Sequence, residues 1–156
     1  MGDEPATARH DRAMMELALE DARLALGWGD VPIGAVVARG DEILGRAGNA
    51  RERDNDPTAH AEILAIRAAA ASSHSWRLTG CAIYVTLEPC AMCAGALVLA
   101  RLDRLVFGAM DPKAGFAGSL GDLTRDLRLN HRLEVESGVL EPEAAGLLRQ
   151  FFEARR

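Results

Sequence analysis

The chain has 156 residues, 49% of them hydrophobic and 26% charged, which suits one globular domain with a sizeable core and excludes a fibrous or disordered class. The net charge of -5 argues against unspecific nucleic-acid binding over the whole surface, although it leaves room for a local basic patch. Three cysteines, two of them in one C-x-x-C pair, do not make a disulfide framework and point to metal binding or redox chemistry in a reducing compartment.

The N-terminal "MGDEPATARHDR" lacks the basic start and apolar segment of a secretory signal, and Ala6 stands where a myristoylation motif needs Ser or Thr. Residues 1–11 are expected to form a flexible N-terminus. From Arg12 to Gly27 apolar residues such as Met15, Ala18, Ala22 and Ala25 recur at helical spacing, and Gly27 ends the helix. Ile33–Ala38 is β-branched and reads as a strand. Arg39-Gly40-Asp41 turns it into a second strand over Glu42–Asn49. "DNDPT", Asp54–Thr58, is a helix-start signal, so a helix is expected from Ala59 to Ala71.

Cys81–Leu87 then reads as a buried strand, Ala91–Arg101 as a buried helix and Arg104–Ala109 as another strand. Met110–Asn130 is expected to be mostly loop, with a short helical piece near Leu120–Leu127. Arg132–Ser137 is the fifth strand, and a closing helix runs from Pro142 to Arg155. A hairpin followed by strand–helix alternation predicts an α/β chain, with a mixed sheet between helices. The longest uncharged apolar run, Cys90–Ala100, falls well short of the roughly 20 residues a membrane-spanning helix needs, so a cytoplasmic protein without a membrane partner is expected.

Two short stretches carry the chemistry. "PTAHAEI", Pro57–Ile63, places His60 two residues before Glu62. "PCAMC", Pro89–Cys93, follows Glu62 after 26 residues. One imidazole and two thiolates form a ligand set that suits zinc, and three protein ligands leave a fourth tetrahedral position open, as in catalytic rather than structural sites. Both stretches open predicted helices, whose N-termini favour thiolate over thiol. Cys90 and Cys93, at i and i+3, share a helix face. Cys81 starts a strand of about six residues, roughly 20 Å long, whose far end leads to Cys90, so it is expected in the core and not at the metal.

Glu62 beside the metal can take a proton from water and return it to a leaving group. Taken singly, His60, Glu62 and the C-x-x-C each have an ordinary explanation: an exposed ring, a solvated helix face, a redox pair or half a zinc ribbon. Two further classes compete: a zinc-stabilised binding module, which has no need of Glu62, and a thiol oxidoreductase, which would cycle a Cys90–Cys93 disulfide without zinc.

H-x-E…P-C-x-x-C is the signature of the zinc nucleobase deaminases. Through "VPIGAVV", "NDPTAHAEI", "YVTLEPCAMCAGAL", "VFGAMDPKAGFAGS" and "NHRLEVESGVL", the chain from about Arg12 to Arg156 resembles the bacterial tRNA-specific adenosine deaminases within the cytidine/deoxycytidylate deaminase superfamily. The resemblance implies a single zinc-dependent deaminase domain over 1–156, with a cytidine-deaminase-like three-layer α/β/α sandwich and a five-stranded mixed sheet. It also implies a homodimer with one zinc ion per subunit, acting on the wobble adenosine of a tRNA anticodon stem-loop to give inosine and ammonia. The alternative within the same fold is a deaminase of a free base, nucleoside or nucleotide such as cytosine or guanine.

The family's ligands match His60, Cys90 and Cys93, its proton shuttle matches Glu62, and its base-binding asparagine matches Asn49. Pro32, Ile33, Ala61 and Leu87 are expected to line the base pocket in such a fold. Asp111, Lys113 and Ser119 lie in the loop that approaches RNA in the family. Of Phe151 and Phe152, one is expected near a flipped base and the other in the core. The resemblance brings in Phe152 as a substrate contact, and Arg149, Arg155 and Arg156 as candidates for phosphate contacts.

Overall fold

The structure, a computed structural model, describes residues 4–155. Its elements run α1 Ala6–Gly27, β1 Gly34–Arg39, β2 Glu42–Gly48, α2 Ala61–Ser73, β3 Ala82–Leu87, α3 Ala91–Leu99, β4 Arg104–Ala109, β5 Glu134–Ser137 and α4 Glu141–Glu153. The five strands form one sheet in the order β2-β1-β3-β4-β5. β1 pairs antiparallel with both β2 and β3, while β3–β4 and β4–β5 are parallel. This is the expected mixed sheet of a three-layer sandwich.

The central strands read as unbroken apolar runs because both of their faces are covered. Ala35 and Val37 of β1, Ile83 and Val85 of β3, and Leu105 and Phe107 of β4 face one way, packing with Ala65 and Ala69 of α2 and Leu97 of α3. Val36, Tyr84 and Val106, offset by one residue, face the other way against Met14, Met15 and Ala18 of α1. α4 joins α1 on that second face, through Leu19, Ala109 and Ala144. Two glycines let the helices sit this close to the sheet. A Cβ on Gly34 would lie 1.8 Å from the Ala18 carbonyl oxygen of α1, and one on Gly45 would lie 2.4 Å from that of Ala65 in α2.

Several boundaries depart from the sequence expectation. α1 begins at Ala6 and not Arg12, so residues 6–11, expected within a flexible N-terminus, form its opening turns. These turns are polar and carry no apolar periodicity. They are held instead by Asp11, 3% exposed, whose carboxylate accepts two hydrogen bonds from Arg104 at 2.6 and 2.7 Å. Burial, and then the Asp11 charge, push the neighbouring Tyr84 hydroxyl up to about 12.

α2 starts at Ala61, two residues later than expected, because the polar groups of 54–58 close a turn and do not cap the helix. The Asp56 carboxylate accepts from the Thr58 backbone N–H at 2.8 Å. The short helix expected at Leu120–Leu127 is absent. Leu120, Leu123 and Leu127 imitate helical spacing, yet Leu127 is 82% exposed, and Asp122 accepts from the backbone N–H groups of Thr124 and Arg125 in a turn. α3 ends at Leu99 and not Arg101, and β5 shortens to Glu134–Ser137.

Candidate active site

The polypeptide leaves β2 into Asn49 and leaves β3 into Glu88-Pro89-Cys90, and both exits lead to helix starts. His60 and Cys90 are the N-cap residues of α2 and α3, each in extended conformation, and Cys93 lies in the first turn of α3. The later start of α2 therefore matters: it makes His60 the cap and puts Glu62 in the first turn. His60, Cys90 and Cys93 form the one group of metal-capable side chains found among the described residues, with donor atoms all within 4.8 Å of one another.

His60 Nδ1 lies 3.6 Å from Cys90 Sγ and 3.5 Å from Cys93 Sγ. Zinc bonds of about 2.0–2.1 Å to nitrogen and 2.3 Å to sulfur, at tetrahedral angles, put those atoms roughly 3.6 Å apart. Both nitrogen–sulfur separations are thus the ones zinc needs. Cys81 is not in the group. It is 1% exposed just before β3, and burial pushes its thiol up, as suits an inert core cysteine.

The electrostatics follow from this packing. The hydrogen bond from Cys93 holds the Cys90 thiol well down, at about 4, and His60 adds to the effect; burial opposes it. The same contact with Cys90, reinforced by burial, pushes Cys93 up. His60 is raised by its bond to Cys90. Glu62 is 4% exposed, and burial raises its pKa while the His60 charge pulls it down. A carboxyl group in that position holds a proton more readily than one in water, which a proton shuttle needs.

Glu62 opens onto a cavity of about 520 Å³. Of the residues expected around it, Ile33, Asn49, Ala61 and Leu87 line its walls, and Asp111, Lys113 and Phe152 its far side. Pro32 does not. In the extended approach to β1, Val31 and Ile33 face the cavity, and Pro32 between them is buried away from it. Asn49, 5% exposed, makes two long contacts of 3.3 Å, donating to the Val31 carbonyl and accepting from the Arg51 backbone N–H.

The paired phenylalanines differ in burial. Phe151 is 5% exposed and packed, whereas Phe152, edge-on to it at 5.2 Å, is 53% exposed at the cavity. Arg149 lines an adjoining cleft with Lys113 and Phe152. Arg155 donates to the Gly29 carbonyl and lies over the Phe151 ring at 3.6 Å. Arg156 lies outside the described residues. A larger open cleft, about 640 Å³, sits at the other end of the sheet beside Cys81, Arg104 and His131, away from the metal-capable group.

Sequence reasoning missed five cavity-lining side chains, Val31, Arg51, Met110, Pro112 and Leu148, and two buried carboxylates bonded to the segments beside it, Asp30 and Glu88. Ser119, in the loop that approaches RNA in the family, donates to Glu88. Burial alone would push the Glu88 carboxyl up, but bonds from Ser119, Asp111 and Ala117 together hold it below the usual range. An acid wedged between an apolar strand and Pro-Cys was the available signal for it. No helix among the described residues is long and apolar enough to cross a membrane.

Comparison with known proteins agrees with this geometry. The family profile described as MafB19-like deaminase matches residues 9–156. The chain is 49% identical over 146 residues to the tRNA-specific adenosine deaminase of Bacillus subtilis (strain 168), covering 94% of this chain and 91% of that protein. It is 48% identical over 147 residues to the tRNA-specific adenosine deaminase of Haemophilus influenzae, covering 94% and 85%. A solved chain from a study of A-to-I editing by tRNA:A34 deaminases at the wobble position of transfer RNA superposes with a TM-score of 0.84 at 45% identity, covering 87% of this chain and 99% of that one.

Proposed function

The chain belongs to the MafB19-like deaminase family, among the tRNA-specific adenosine deaminases, and on that footing we infer what its own residues do. The enzyme hydrolyses adenosine to inosine at the wobble position of a tRNA anticodon and releases ammonia. The single observation that carries the site assignment is the triangle of His60, Cys90 and Cys93 beside the buried Glu62. His60 Nδ1 and the two sulfurs hold one zinc ion. When bound, that ion supplies the Lewis acidity that lets water act as a nucleophile near neutral pH.

The rest belongs to the chain. An anticodon loop presents an adenine already free of duplex pairing, so extruding it costs less than from a helix. The base enters the cavity between Ile33, Leu87 and Ala61, with the Asn49 amide reading its edge. Glu62 takes a proton from the attacking water and returns it to the ring nitrogen. It then takes the remaining proton from the new C6 hydroxyl and delivers it to the departing amine, so that C6–O forms, C6–N breaks and the carboxylate is restored. Phe152 offers an exposed ring for stacking, and Lys113, Arg51 and Arg149 around the mouth offer charge to phosphates. The acidic net charge is thereby compatible with a local basic rim.

Incubated with an anticodon stem-loop carrying adenosine at the wobble position, beside free adenosine, cytidine and guanine, the protein is expected to make inosine only in the stem-loop, read by mass. Turnover of a free base or nucleoside instead would overturn the tRNA assignment.

The enzyme acts as a homodimer in the cytoplasm, where its substrate is. The support for dimerisation is α3, which has no charged residue, yet leaves Met92 37% and Leu99 70% exposed on one face with the exposed Ala91. Sedimentation is expected to give twice the 16.7 kDa chain mass, and Leu99→Glu to shift it toward the monomer. A wild-type monomer at micromolar concentration would rule the homodimer out.

A further inference from the structure

Residues 110–113 line the cavity and open a segment, 110–133, that contains no helix or strand; isolated bridges of Gly115 with Cys90 and Ala117 with Asp122, and a bond from the Phe116 N–H to the Pro89 carbonyl, hold it in place of a ladder. Three of its backbone donors converge on one side chain just after the end of β3. The Glu88 carboxylate accepts from the Asp111 backbone N–H at 2.9 Å on one oxygen, and from those of Ala117 and Ser119 at 3.0 and 2.9 Å on the other. The Ser119 hydroxyl donates to the first oxygen as well. The loop wraps this group closely enough that a Cβ on Gly115 would sit 2.3 Å from the Glu88 carboxyl carbon. Glu88 is 2% exposed, faces no cation within ion-pair distance among the described residues, and does not line the cavity.

What the loop carries does line it: Asp111, Pro112 and Lys113 form one wall. The opposite lip is built the same way. Asp30, 1% exposed, accepts from the backbone N–H groups of Glu52 and Arg53 at 2.7 and 3.0 Å, beside the cavity-lining Arg51. Each lip therefore presents a cation while its backbone is anchored from behind by a buried acid.

We propose that Glu88 is a positioning residue for substrate recognition: by holding the Asp111–Ser119 loop as a fixed wall, it determines how tightly the tRNA loop binds, without touching substrate or metal. This deepens the tRNA reading and rests on it. A carboxylate suits the task because its two oxygens accept all four donors. An amide of the same shape must turn its NH₂ toward at least one of the backbone N–H groups.

The test is Glu88→Gln in the zinc-loaded enzyme. On the wobble-adenosine stem-loop, KM is expected to rise about tenfold, the scale of losing one or two charge-assisted hydrogen bonds, while kcat stays within about threefold. Zinc content and thermal midpoint are expected near wild type. By NMR, amide exchange at Asp111, Ala117 and Ser119 should quicken by about tenfold or more while β3 and β4 amides keep their protection. Ser119→Ala, which spares the three backbone bonds, should leave KM within about twofold of wild type. An unchanged KM with loop amides still protected would overturn the proposal, as would loss of zinc and kcat at constant KM, since Glu88 would then act through the Cys90 segment. If wild-type enzyme does not deaminate the stem-loop, the tRNA reading fails by itself, and the amide exchange alone decides whether Glu88 holds the loop.

Discussion

Glu62→Gln is expected to lower deamination of the stem-loop by roughly a thousandfold, within the range that general acid–base groups contribute, while zinc stays at one ion per chain. The amide keeps the size and burial of the side chain but can neither take the proton from water nor pass it on. Glu62 is 4% exposed at the floor of the cavity and is not a member of the metal-capable group, so its loss should leave that group intact. Elemental analysis alongside the rate separates the two roles. A variant that loses its zinc makes Glu62 a ligand, and one that keeps most of its activity removes it from the proton path.

Cys90→Ala is expected to abolish both activity and metal retention, with zinc falling from one ion per chain to near zero after dialysis. Two ligands of the three remain, and soft thiolate donors carry much of zinc affinity. Stability should fall as well. A zinc ion held by the three side chains would tie the N-cap of α2 to the first turn of α3, and a ligand bound only by the folded state stabilises it, by about 4 kcal/mol at a thousandfold excess over Kd. Wild-type protein stripped by a chelator should show the same lowered thermal midpoint, whereas Cys90→Ala should be indifferent to chelator. Full zinc content in Cys90→Ala would displace Cys90 from the site. Cys81→Ala offers the contrast: its thiol is buried just before β3, so zinc content and kcat should not change.

The clustering of His60, Cys90 and Cys93 was legible before folding because its information is chemical and nearly local. An imidazole, a carboxylate and a C-x-x-C at two helix starts leave few other uses for that set. The family blocks extended the expectation to Asn49, Ile33, Ala61 and Leu87, and all four reach the cavity. Periodicity located the strands well where both faces are apolar, as in β4. It misled where a pattern had a second cause: the leucines of 120–127 keep helical spacing in a loop that the turn at Asp122 and the grip of Glu88 hold open.

The sequence by itself determined which side chains form the metal-capable group, that a glutamate stands two residues from its histidine, and the order of elements. These depend on side-chain type and on spacings of a few residues, which the chain carries into any compact state. Only the tertiary structure decided which side of the chain Pro32 turns, where α1 and α2 begin, and what anchors the cavity's lips. Asp11 meets Arg104 across 93 residues, and Glu88 meets Ser119 across 31. Such contacts leave no periodic trace. A buried carboxylate is costly until donors surround it, and folding alone brings those donors within hydrogen-bond range.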